Sequence, residues 1–409
     1  GNLEEAGGKD YIETLVTRIP AIGNTKQYGQ IVKENSLLRG LVRASQEIQA
    51  SVATREGDPR ELLERAQQRV FEVAQDSQSG ELVSLSTILD DELSSLEQQS
   101  LHGQAVTGTP TGFRDIDELT GGFQGGNLII IAARPSMGKS ALVTNIAENA
   151  ALEGYPVAIF SLEMSKTELS QRFLASQAKI SGDAMRKGQI KSTDWPKVMS
   201  AAEDLSKAPI WIDDSSDINI IELRAKARRL HGKFLGQRKD DADDDADKTG
   251  NGLGMIIVDY LQLLRANDGR DSRVEQVAQM SRGLKILARE LNVPVVAVSQ
   301  LSRAVESRQP PRPQMSDLRE SGQIEQDADV VAFIYREEYY LREQSERPGI
   351  ADIIFAKHRN GPVGDVELTF LHHYPKFANK PKSYGGDGSA DSYPAATVSG
   401  NDYVEEDVF

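Results

Sequence analysis

Eight short apolar runs, most rich in β-branched residues, punctuate the chain: Leu128–Ala132, Val157–Phe160, Ile210–Ile212, Met255–Val258, Val295–Val298, Val330–Tyr335, Ile350–Ala356 and Val366–Phe370. Near-continuous apolar strands, without polar alternation, are those buried on both faces. Helical patterns fill the gaps between most of them, and strands that alternate with helices build a parallel sheet. Lys357–Asp365, with Asn360-Gly361 inside it, separates the last two runs and reads as a hairpin. The expected class is therefore α/β with a mainly parallel central sheet.

A chain of 409 residues is too long for one compact core, so more than one domain is expected. Residues 1–55 read as helices, with a rough stripe of Leu37, Leu38, Leu41, Val42 and Ile48. The chain begins at Gly1 in mid-pattern, which suggests a truncated or processed N-terminal part. Ser51–Pro59 is a break, and Asp58-Pro59 is a start signal for a helix over Glu61–Ala74. That helix is either a linker that docks elsewhere or a helix packed on its own domain. The expected division is 1–55 helical, 56–81 linker, 82–380 α/β and 381–409 an acidic tail poor in apolar residues and read as disordered.

The net charge of −15 argues against a generally basic nucleic-acid binder, but the acids are concentrated. Lys239–Gly250 holds six aspartates and Pro381–Phe409 six further acids. By contrast Arg265–Arg319 has ten Arg/Lys against six Asp/Glu, so a local basic strip can still meet phosphates. No cysteine is present, which excludes disulfides and thiolate metal sites and suits a reducing cytoplasm. The five histidines have no ligand spacing. No apolar run approaches the roughly 20 residues of a membrane span, so no membrane partner is expected.

The run Leu128–Ala132 leads into Ala133-Arg134-Pro135-Ser136-Met137-Gly138-Lys139-Ser140, and a helical pattern follows over Ala141–Ala151. Strand, loop and helix with Gly-Lys-Ser at the helix start is the setting of a phosphate-binding loop. Gly138 lets backbone N–H groups close on phosphates, Lys139 neutralises β/γ charge, and the Ser140 hydroxyl suits Mg²⁺. The usual first glycine is replaced by Ala133. The apolar run Met255–Val258 ends in Asp259, a second candidate for the Mg²⁺ shell of a bound ATP. Glu163, just beyond the run Val157–Phe160, is a candidate base for water; a glutamate that merely opens a helix is an equal reading. Gln300, beyond Val295–Val298, is either a γ-phosphate sensor or a polar strand end.

These pieces together resemble the bacterial DnaB family of replicative helicases, hexameric RecA-like motors. The likeness is carried by ARPSMGKS (133–140), FSLEMS (160–165), IIVDYLQLL (256–264), VAVSQLSR (296–303), SDLRESGQIEQDAD (316–329) and FAKHRNGPVG (355–364), in family order over roughly 110–375. The resemblance implies a RecA-like P-loop ATPase preceded by a partial helical N-terminal domain and a linker helix. It gives Ser136, Gly138, Lys139 and Ser140 to the phosphate and magnesium loop, Asp259 to magnesium, Glu163 to catalysis and Gln300 to sensing. It adds Arg172 as a nucleotide-contacting arginine. It also makes Arg319, Glu320 and Gly322 a loop that holds the DNA backbone, although the residues alone read as well as a helix-start loop tied by an Arg–Glu pair. Lys357 and Arg359, otherwise a basic hairpin tip in water, become cations that reach the ATP of a neighbouring subunit.

The implied function is ATP-driven 5′–3′ movement on single-stranded DNA and unwinding by a homo-hexamer at the replication fork. Primase and a helicase loader are the implied partners. Tyr28–Leu41 resembles the later half of the family's N-terminal domain, and the earlier half has no counterpart here. A RecA-like recombination mediator or switch, which uses ATP without unwinding, shares the same loop and strand acids and stays open as the alternative.

Overall fold

A computed structural model describes residues 25–54, individual positions between 58 and 93, and residues 106–237, 252–261, 273–374 and 376–381. The chain separates into two compact units, Gly1–His102 and Gly103–Phe409. The acidic insert at 239–250 and nearly all of the C-terminal tail lie outside the described residues.

In the first unit α1 spans Thr25–Thr54 as one 30-residue helix. It runs through Ser51, where the sequence suggested a break, because Ser51–Thr54 holds neither proline nor glycine. The described positions Leu62, Arg65, Ala66, Arg69, Val70 and Val73 are helical, and Leu62 N–H donates to the Asp58 carbonyl at 3.0 Å. Val73 packs so closely on Gly40 of α1 that a Cβ there would lie 2.8 Å from its methyl group. Ile31, Val32, Leu38, Leu41 and Val42 remain exposed on α1.

In the second unit the elements are α2 (Arg114–Thr120), β1 (Leu128–Ala133), α3 (Lys139–Leu152), β2 (Val157–Ser161), α4 (Lys166–Ala178), α5 (Gly182–Arg186), α6 (Trp195–Lys207) and β3 (Ile210–Asp213). They continue with α7 (Ile220–Gln237), β4 (Met255–Asp259), α8 (Arg273–Leu291), β5 (Val295–Gln300), α9 (Gly322–Asp327), β6 (Val330–Tyr335), α10 (Glu337–Leu341), β7 (Ile350–His358), β8 (Gly364–Leu371) and β9 (Lys376–Asn379). All eight apolar runs are strands. The ninth strand, β9, is too short and too close to the polar tail to stand out in the sequence.

Among the described residues one sheet holds all nine strands, in the order β3-β2-β4-β5-β1-β6-β7-β8-β9. The first six are mutually parallel, and β7, β8 and β9 continue the sheet antiparallel. Five of the six parallel strands are buried on both faces, as their composition requires, and β3, at the sheet's edge, is half-buried. Along β1, Ile129, Ile131 and Ala133 join one core with α3 and α4, while Leu128, Ile130 and Ala132 join the other with α7 and α8. Ile130 is fully buried, so truncation to alanine there costs about 2–5 kcal/mol. This close packing on two sides fixes where β1 ends, and with it the loop that follows.

Candidate functional site

Strand register brings the candidate residues to one edge. Ala133 of β1 sits opposite Gln300 of β5, and Ser161 of β2 opposite Asp259 of β4. The loops after β1, β2, β4 and β5 therefore open on the same side, where parallel α/β sheets bind ligands.

The loop after β1 is shaped by two left-handed residues, Ser136 (φ 63°) and Gly138 (φ 100°). At Gly138 the conformation and the space both demand glycine, since a Cβ would come within 3.0 Å of the Phe377 ring. Buried Met137 pins the loop to the core. α3 starts at Lys139 with no side-chain cap, so its first N–H groups are free to face an anion. Ala133 explains its own departure from glycine: it ends β1 in ladder geometry, fully buried, where a methyl group fits. Its carbonyl accepts from Lys139 Nζ at 3.3 Å and from Leu301 N–H at 3.2 Å.

The charges around this loop are mutually coupled. Burial pushes the Lys139 ammonium down, against the pull of Asp259 and Glu163. Burial likewise pushes Arg172 of α4 down, opposed by the same two carboxylates. Asp259 is raised by its burial, opposed first by a hydrogen bond from Ser140 and then by Lys139 and Arg172. Its Oδ1 is buried with no hydrogen-bond partner. An orphaned carboxylate oxygen beside a serine hydroxyl fits a hard divalent cation. Ser136, Gly138, Lys139, Ser140, Glu163, Arg172, Asp259 and Gln300 thus gather at one edge, with Glu163 and Gln300 exposed to a ligand.

Lys357 and Arg359 do not join them. Lys357 pairs with Val331 near the start of β6, itself beside Ile130 of β1, so the hairpin tip lies at the opposite edge of the sheet. With about 3.3 Å per residue along a strand and about 4.8 Å between strands, that is well over 10 Å from the phosphate loop. Both cations have partners in their own chain. Lys357 Nζ donates to the carbonyls of Glu325 and Ala328, each at 2.7 Å, at the end of α9. Arg359 meets Asp329 Oδ1 at 3.2 Å, and Asp329, almost fully buried, also receives Lys285 Nζ and the Leu128 N–H.

Arg319 and Glu320 lie within a 3-10 turn over Met315–Ser321, and Gly322 is the first residue of α9. Gly322 has ordinary helical backbone (φ −51°, ψ −26°), and a Cβ there would meet nothing. Its absence leaves the backbone open rather than permitting a turn.

Several residues were not evident from the sequence. Arg134 looks like a variable position of the loop, yet it is buried, with Nε on Glu306 Oε1 at 2.7 Å and Nη1 on the Leu301 carbonyl at 2.8 Å. Phe370 and Phe377 wall the phosphate loop at Gly138, and Arg336 lies over the Phe370 ring at 4.0 Å. Only the pairing of β8 with β9 brings these aromatics there.

A two-sided parallel sheet with a phosphate loop, a strand-end aspartate and an exposed glutamate at its C-terminal edge defines a RecA-like P-loop ATPase. Residues 108–379 match the DnaB-like helicase C terminal domain, and the chain belongs to the DnaB-like helicases. The replicative DNA helicase DnaB of Geobacillus stearothermophilus is 44% identical over 384 residues, 93% of this chain and 81% of that protein. The replicative DNA helicase DnaC of Bacillus subtilis (strain 168) is 43% identical over 388 residues, 94% of this chain and 82% of that one. Among solved structures, the ATPase domain of G40P is 38% identical with a TM-score of 0.64, covering 72% of this chain and 99% of its own. A DnaB-like replicative helicase, described together with its interactions with primase, is 34% identical with a TM-score of 0.70, covering 93% and 85%.

Proposed function

We propose that this chain is the motor subunit of a replicative DNA helicase, which hydrolyses ATP at subunit interfaces and moves 5′–3′ on single-stranded DNA as a homo-hexamer. Lys139, Ser136 and the N–H groups around Gly138 hold the phosphates. Ser140 and Asp259 hold Mg²⁺, which supplies charge neutralisation between the phosphoryl oxygens. Glu163 orients and deprotonates the attacking water, Arg172 contacts the nucleotide, and Gln300 senses the γ-phosphate. Arg319, Glu320 and Gly322 grip the DNA backbone without reading bases, as a motor that must pass every sequence requires.

Arg359 and Lys357 complete the site of a neighbouring subunit. The observation that carries this reading is their position at the sheet edge opposite their own phosphate loop. A cation needed for γ-phosphate transfer is thereby absent from each cradle until another copy supplies it. Magnitudes separate the two. Arg359 is mostly exposed and meets Asp329 at 3.2 Å, and Asp329 keeps Lys285 and the Leu128 N–H when Arg359 leaves, so Arg359 is readily released toward a neighbour. Lys357, with two charged hydrogen bonds of about 1.5–3 kcal/mol each, also seats the hairpin on α9.

The further organisation follows the family. Residues 1–55 are the later part of a helical collar, 56–81 a linker with its helix, and 381–409 a tail. The setting is the bacterial cytoplasm, with primase and a loader as partners. A forked-substrate strand-displacement assay, with particle mass measured in ATP and Mg²⁺, tests the proposal. The expected result is ATP-dependent displacement by a hexamer. Hydrolysis and DNA binding without displacement would instead support the RecA-like mediator.

A further inference from the structure

The segment that follows β5 connects two parts of this motor that the proposed function must keep in step. Leu301, directly after Gln300, is tied to the phosphate loop twice: its N–H donates to the Ala133 carbonyl at 3.2 Å, and its carbonyl accepts from Arg134 Nη1 at 2.8 Å. Arg134 also reaches Glu306 in the 3-10 turn Arg303–Ser307 at 2.7 Å. Arg308 caps the end of that turn and makes a two-pronged bond to Asp317, Nη2 to Oδ1 at 2.9 Å and Nη1 to Oδ2 at 3.1 Å. Asp317 is nearly fully buried and accepts from the Gln314 N–H at 2.7 Å, while its own carbonyl accepts from the Ser302 N–H at 3.1 Å. Two residues later comes Arg319.

We propose that Arg134 is a positioning residue that couples the nucleotide cradle to the DNA-holding segment, through Glu306, Arg308 and Asp317. The proposal rests on the reading of Arg319–Gly322 as the DNA contact, and it adds a route that does not pass through the Gln300 side chain. A buried guanidinium is costly to strip of its partners, so the phosphate loop and the 301–306 segment move together rather than slide apart. From there the turn itself carries the link: Arg308, two residues beyond Glu306 in the chain, pairs with Asp317, and Ser302 N–H bonds the Asp317 carbonyl, a contiguous network of the kind that coupling between sites uses.

Loop glue alone is the plainer explanation, and exposure separates the two. The Glu306 side chain is 45% exposed, and glutamine in its place keeps an oxygen for Arg134 Nε, so the buried guanidinium is not left without a partner. That replacement leaves the fold intact and weakens only the charged link.

The test measures the dissociation constant for a mixed-sequence single-stranded oligonucleotide with ADP and with a non-hydrolysable ATP analogue, using the assembled protein. The ratio of the two constants reads the coupling. In Glu306→Gln the ratio shrinks by about five-fold or more, while nucleotide affinity and the melting transition stay as in the unmodified protein, and Glu306→Asp recovers most of the ratio. An unchanged ratio in Glu306→Gln, or a ratio of one in the unmodified protein, overturns the proposal. Arg319→Ala is the second arm. If it weakens DNA binding in both nucleotide states while Glu306→Gln keeps the full ratio, only the coupling falls. If Arg319→Ala binds as the unmodified protein does, the DNA-contact reading falls and takes the coupling with it.

Discussion

The two edges of the sheet are built on opposite terms. At the phosphate edge the key groups are left wanting: Asp259 Oδ1 is buried without a partner, Lys139 keeps one long bond to a carbonyl, and α3 begins uncapped. At the hairpin edge the cations are provided for, Lys357 by two carbonyls and Arg359 by Asp329. The first edge is preorganised for a ligand that brings its own charge. The second is satisfied within its own chain, and on the proposed function it must trade partners when a neighbour arrives. On that proposal an unassembled subunit binds nucleotide and hydrolysis is reserved for the ring.

The largest effect expected from breaking this contrast is at the hairpin tip. Arg359→Ala should lower ATP turnover by about 10³–10⁵-fold, the worth of such cations in related phosphoryl transfer, with nucleotide affinity retained in an equilibrium binding assay. Next comes Lys139→Ala at the cradle, which should lower turnover by at least about 10²-fold and weaken nucleotide binding as well. Binding thus distinguishes the two edges where turnover does not. Asp329→Ala addresses the parking of Arg359. It leaves Lys285 and the Leu128 N–H without their shared acceptor, so denaturant unfolding should show a loss of about 3–5 kcal/mol. The molecules that remain folded should hydrolyse ATP undiminished; a loss of turnover in them would mean that Asp329 aims Arg359 rather than parks it. The smallest effect is at the DNA segment, where Arg319→Ala should weaken binding alike for all sequences and lower the salt slope by about one. An unchanged slope would remove Arg319 from the DNA path.

How much was legible beforehand follows from what kind of signal each part leaves. The strands announced themselves because burial on both faces forbids polar alternation, and the phosphate loop because Gly138 and Lys139 stand between a strand and a helix. β9 did not, since four residues before a polar tail carry no period, and the aromatic wall at Gly138 went unseen with it. α1 overran the expected break because helix propagation needs only the absence of breakers, and Ser51–Thr54 contains none. Glu163 and Gln300 are even choices by residue type alone; strand register, with Ser161 beside Asp259 and Gln300 beside Ala133, adds only that both lie at the phosphate-loop edge. Arg134 could not be read at all: its partners, Leu301 and Glu306, are more than 160 residues away in the chain.

The division of labour between the edges is tested most directly by mixing two inactive variants. Lys139→Ala subunits keep the hairpin cations but lack a working cradle, and Arg359→Ala subunits keep the cradle but lack the finger. Each alone should be almost without ATPase activity. Rings assembled from both contain interfaces that join an intact cradle to an intact finger, so mixing should restore a substantial part of the turnover. No recovery in demonstrably mixed rings, or full turnover by Arg359→Ala alone, would contradict a nucleotide held by one subunit and triggered by the next.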